Sequence, residues 1–102
     1  MKIFIKTMGL SGSFQIEAND REQYVLLNGK KIDCNAIEFV GELSAIMCSW
    51  ENEYINNSII DGTEYKIKII NDYKEEKVIT IKNAYPHNFE KFSEMLQGVI
   101  DL

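Results

Sequence analysis

Apolar and polar residues alternate with a period of two at the start of the chain, where Ile3 and Ile5 stand between Lys2, Phe4 and Lys6. That period predicts a β-strand from Lys2 to Thr7 with one face turned to a core. Gly9, Leu10, Ser11 and Gly12 supply a turn, after which Phe14, Ile16 and Ala18 alternate with Ser13, Gln15 and Glu17. The two runs read as a hairpin. Asn19 to Glu22 form a second turn before a strand at Tyr24 to Leu27. Asn28-Gly29 then marks a tight type I′ turn, because both of its central residues need positive φ, and Lys30 to Asp33 would be the short return strand. The glycines at 9 and 12 do not make a phosphate loop, since no Walker lysine follows and no helix opens there.

The period changes after Asn35. Ala36, Val40, Leu43, Met47, Trp50 and Tyr54 recur at steps of four, three, four, three and four, the spacing of a helix that buries one stripe. Phe39 and Ile46 widen the stripe, Asn35 suits the N-cap, and Glu38 lies three residues on as in a capping box. Gly41 costs the helix interior about 1 kcal/mol relative to alanine, which a closely passing neighbour would explain. Ile55 to Ser58 read as a polar connection and Asp61-Gly62 as a turn. Period two returns in Tyr65, Ile67 and Ile69, which alternate with Glu64, Lys66 and Lys68. A loop from Asn71 to Glu76 leads to a strand from Lys77 to Lys82, with Ile79 and Ile81 on one side. Pro86 suits the first turn of a helix, and Phe89, Phe92, Leu96 and Val99 step by three, four and three.

Hairpins make antiparallel sheets, and helices with one apolar stripe need a sheet face to cover. The expected architecture is therefore a single α+β domain over residues 1–102. It is a two-layer sandwich with an antiparallel sheet of four to six strands and both helices on one face, ββαββα-like in order. Val40, Leu43, Met47, Phe89, Phe92 and Leu96 should pack on Ile67, Ile69, Ile79 and Ile81. The other sheet face should carry Lys66, Lys68 and Lys77 or Lys82.

Composition supports a globular chain: of 102 residues, 45% are hydrophobic and 26% charged, both close to the globular average. The first residues read as a strand and not as a signal peptide, and no run of 18 apolar residues exists to span a membrane. Helical geometry over 36–50 puts Cys34 and Cys48 about 20 Å apart, too far for the ~6 Å of a disulfide. Two free thiols fit a reducing cytoplasm, with Cys48 an inert core or boundary residue.

The search for chemistry returns little. His87 is the single histidine, so no zinc ligand set exists and no Cys-His motif is spelled out. The expectation is a protein that is not an enzyme and uses no metal or cofactor. Charge placement is the departure from an ordinary surface. No Lys or Arg lies between Lys31 and Lys66, while that interval holds Asp33, Glu38, Glu42, Glu51, Glu53, Asp61 and Glu64. Glu38, Glu42, Glu51, Glu53, Asp61 and Glu64, with Trp50 and Tyr54 as aromatic anchors, form the expected binding surface for a basic partner. Such a surface also serves plain solubility. The net charge of −5 and scattered basic residues argue against direct nucleic-acid binding.

Trp50-x-x-x-Tyr54, Asp61-Gly62-x-x-Tyr65 and Asn83-x-Tyr85-Pro86-x-Asn88-Phe89-x-x-Phe92 together resemble a pattern found in small proteins of low-GC Gram-positive bacteria. The match spans about the last half of the chain. It implies a sheet-plus-helix arrangement and carries no catalytic residue. In size and acidity the chain is also similar, as a class, to immunity proteins that neutralise toxins. The expected function is a cytoplasmic protein-binding inhibitor, an immunity protein or antitoxin that blocks a basic toxin or nuclease through an acidic helical face. The alternatives are a phage or mobile-element inhibitor that mimics nucleic acid, a small enzyme, and a structural subunit.

Overall fold

The computed structural model describes residues 1–9, 12–58 and 62–102. Its elements are β1 (Lys2–Gly9), β2 (Gly12–Asn19), β3 (Tyr24–Leu27), β4 (Lys30–Lys31), α1 (Ala36–Met47), β5 (Glu53–Ile55), β6 (Glu64–Ile70), β7 (Glu76–Lys82) and α2 (Phe89–Ile100). The strands form one sheet in the order β4-β3-β2-β1-β6-β7-β5. The α+β class agrees with expectation, but the sheet has seven strands where four to six were expected. It is also mixed, because β5 runs parallel to β7 while every other neighbouring pair is antiparallel.

The alternating pattern places the core. Ile3 stands opposite Ala18 and Ile69, Ile5 opposite Ile16 and Ile67, and Thr7 opposite Phe14 and Tyr65. Ile67 and Tyr65 face Ile79 and Ile81 in turn, and Ala18 faces Val25. Directly opposed residues project to the same side of a sheet, so these side chains share one face. Phe39, Val40, Leu43 and Met47 of α1 and Phe92, Leu96 and Val99 of α2 belong to the same buried cluster. Of the core residues expected from the pattern, Ile69 and Phe89 are half-buried and the others are buried. The uncovered face carries Lys66, Lys68 and Lys82, as expected. Lys77 does not belong there, because it pairs with Ile69 on the covered side, and its Nζ donates to the carbonyl of Trp50.

Local chemistry explains most boundaries. Asn28 and Gly29 have φ of 51° and 82°, the two positive values that the β3–β4 turn requires. The side-chain oxygen of Asn35 accepts from the Glu38 N–H at 3.2 Å and starts α1. That helix stops at Met47, well short of Tyr54. Trp50 and Tyr54 keep the helical step, but β7 offers edge hydrogen bonds that draw the backbone out of the helix. Thr80 N–H donates to Asn52 O at 2.8 Å and Asn56 N–H to Lys82 O at 2.9 Å, and Glu53, Tyr54 and Ile55 become a strand. Pro86 lies three residues before α2, which begins at Phe89; it is outside the first turn in which it was expected. Gly41 also departs from expectation, since a Cβ placed there has nothing within 4 Å. Among the described residues no neighbour approaches closely enough to require the glycine. Among the described residues no helix is long and apolar enough to cross a membrane.

Candidate functional site

The amphipathic pattern of α1 buries Ala36, Phe39, Val40, Leu43 and Met47 and therefore turns Ile37, Glu38, Gly41, Glu42 and Ala45 outward, all exposed. Ile37 is 55% exposed, a large apolar side chain on the same outward part of α1 as Glu38 and Glu42. Glu38 lies in the first turn, where the positive end of the helix dipole offsets the charge. Farther along the same outward side, a hollow of about 520 Å³ separates α1 from α2. Ala45, Ile46 and Met95 supply its apolar lining, and Glu42, Glu94 and Lys91 its charged lining. An exposed apolar strip with a predominantly acidic margin is suited to a partner that brings an apolar side chain flanked by cations.

Of the other expected site residues, Trp50, Glu53 and Glu64 do not join this surface. Trp50 is only 2% exposed and is a core residue, so it is not available as an anchor. Its ring lies 5.3 Å from that of Phe92 and 6.5 Å from that of Phe89, and its indole N–H donates to the His87 carbonyl at 3.0 Å. Tyr54 is half-buried, and its phenol oxygen accepts from the Glu51 N–H at 2.7 Å. Glu51 is exposed in the connection that follows α1. Glu53 pairs with Thr80, which in turn stands opposite Lys66, and Glu64 pairs with Met8 and Lys82. Both carboxylates therefore belong to the uncovered face of the sheet, on the side away from α1. Asp61 lies outside the described residues. The acidic stretch is continuous in sequence but divided between two faces in space, because the strand after α1 crosses to the sheet edge.

The aromatic pattern is gathered. Phe89 is 4.7 Å from Tyr85, 5.3 Å from Tyr65 and 5.6 Å from Phe92, centroid to centroid. With Trp50 these rings tie the end of α1, β6 and the start of α2 into one unit. Burial, with the nearby Tyr85, pushes the Tyr65 phenol above the ordinary tyrosine value. The cluster is mainly structural, and only Tyr85 is largely exposed.

His87 pairs with a residue that sequence reasoning did not single out. Its Nε2 is 3.0 Å from Ser49 Oγ, at an exposed position. Ser49 follows the C-terminal end of α1, where the outward carbonyls carry partial negative charge. The pair joins the α1–β5 connection to the entrance to α2. Cys48 Sγ donates to the Ala45 carbonyl at 3.3 Å; Cys34 is half-buried and Cys48 exposed, and both are free thiols. The exposure of Cys48 corrects its expected place at the core or its boundary. Among the described residues no three His, Cys, Asp or Glu side chains gather as a metal-ligand group.

Comparison with protein-family models, with curated proteins and with solved structures finds no match to this chain.

Proposed function

We propose that this chain is a protein-binding inhibitor of the immunity or antitoxin kind, acting in the cytoplasm, and that it captures a basic partner with the outward side of α1. The observation that carries the reading is Ile37, exposed on a helix that also turns Glu38 and Glu42 to solvent while its opposite side fills the core. The acidic hollow between α1 and α2 extends the same surface. Apolar contact supplies affinity at such a surface, while the carboxylates speed association and select a cationic partner.

The experiment compares wild-type protein with a Glu38→Lys/Glu42→Lys variant and an Ile37→Asp variant as immobilised bait. The captured protein is identified and its association rate measured against ionic strength. The expected partner is basic, associates more slowly as salt shortens the screening length to about 10 Å and below, and is retained poorly by both variants. Equal capture by all three baits, at a rate indifferent to salt, would sink the proposal.

A further inference from the structure

The uncovered sheet face holds an arrangement independent of the α1 surface. Lys6 of β1, the central strand of the sheet, and Lys66 of its neighbour β6 are direct cross-strand partners. Like charges placed directly opposite each other destabilise a sheet. The neighbouring lysines have carboxylate partners, Lys2 with Glu17 at 3.8 Å and Lys68 with Glu76 at 3.2 Å. Among the described residues Lys6 and Lys66 have none.

In the row beside this pair apolar side chains alternate with charged ones, and the Lys2 ammonium lies 5.0 Å from the centre of the Phe4 ring. Phe4 stands opposite Glu17 and Lys68, and those residues stand opposite Leu26 and Val78. Leu26, Phe4 and Val78 thus occupy alternate strands of one row, next to the row that contains Lys6 and Lys66. Together they line a hollow of about 380 Å³, within the range of about 300–1,000 Å³ typical of small-molecule sites. Phe4 and Leu26 are half-buried and Val78 is 50% exposed.

We infer that this hollow binds a small soluble amphiphilic anion, with its carboxylate or phosphate between Lys6 and Lys66 and its apolar body over Phe4, Leu26 and Val78. A bound anion accepts hydrogen bonds from both ammonium groups and offsets the repulsion between them. Elsewhere on this face Glu17 and Glu76 pair with Lys2 and Lys68 and Glu64 stands opposite Lys82, so the uncompensated positive charge suits one head group.

The test is a titration of the isotope-labelled full chain with octyl phosphate, followed by amide chemical shifts. The expected shifts centre on Phe4, Lys6, Lys66 and Val78. Octanol, inorganic phosphate and octylammonium should each bind at least about tenfold more weakly, the loss expected when one charged hydrogen-bonding head group or the apolar body is missing. Lys6→Gln/Lys66→Gln should weaken octyl phosphate by a similar factor. Lys66→Glu should abolish binding while raising the melting temperature, because it turns the repulsive pair into an attractive one. That opposition between binding and stability distinguishes a site from an ordinary surface. Equal binding of octylammonium, unchanged affinity in the double variant, shifts centred elsewhere, or preference for phosphatidylglycerol vesicles over the soluble probe would each overturn the inference.

Discussion

Gly62 and Asn83 are in such close contact that a Cβ added to Gly62 would lie 1.7 Å from the Asn83 side-chain oxygen. Asn83 is buried and holds a left-handed backbone conformation, φ 60°, so its side chain has little room to retreat. Gly62→Ala should therefore destabilise the fold by about 1–3 kcal/mol, as overpacking does, measured by urea unfolding. Asn83→Gly, which suits the positive φ and removes the clashing atoms, should recover part of that loss when combined with Gly62→Ala. A Gly62→Ala protein as stable as wild type would contradict this packing.

Trp50 and Phe92 should behave as core. Phe92→Ala is expected to cost about 3–5 kcal/mol, whereas Ile37→Ala should stay within about 0.5 kcal/mol, as surface changes usually do. The emission of Trp50, the single tryptophan, should be blue-shifted and resist acrylamide quenching. His87→Ala should lose no more than about 1 kcal/mol, the net worth of an ordinary hydrogen bond. The bond from Trp50 goes to the backbone carbonyl at 87 and survives the change.

The two thiols should separate in reactivity. Burial, followed by the charges of Asp33 and Glu38, pushes the Cys34 thiol up from its ordinary value, and the thiolate is the nucleophile. Cys48 is exposed. Native protein treated with Ellman's reagent at pH 8 should show one fast thiol, identified by mass spectrometry as Cys48, and one slow thiol that becomes fast in urea. Faster modification of Cys34 would contradict its placement.

Stability should fall in alkali. Burial, with Tyr85, raises the Tyr65 phenol above the ordinary value of 10.0, and burial followed by the hydrogen bond to Glu17 raises Tyr24. Above pH 10 the unfolded chain therefore binds fewer protons than the native one, and the unfolding free energy decreases with pH. Below the unfolded value both forms are protonated and these groups add no pH dependence. Unfolding midpoints measured from pH 8 to 11.5 should decline less steeply in Tyr65→Phe than in wild type.

Most elements were legible because their signals are local. Alternation in Ile3 and Ile5 or Ile67 and Ile69, the Asn28-Gly29 turn and the Asn35 cap depend on a few neighbouring residues, and each appears where the sequence places it. The spacing of Leu43, Met47 and Trp50 also identified residues that are buried. What periodicity could not decide was the partner of the backbone after Met47. The hydrogen-bonding edge of β7, 25 or more residues away in sequence, converts Glu53–Ile55 into a parallel strand, ends α1 early and makes the sheet mixed. The same long-range pairing governs the candidate surfaces. Sequence alone collects Glu38, Glu42, Glu53 and Glu64 into one acidic stretch, but sheet register sends Glu53 and Glu64 to the side opposite α1. It likewise brings Lys6 and Lys66, 60 positions apart, face to face. Charge content is a property of the chain, whereas charge geometry depends on which strands pair, and that is settled by tertiary packing.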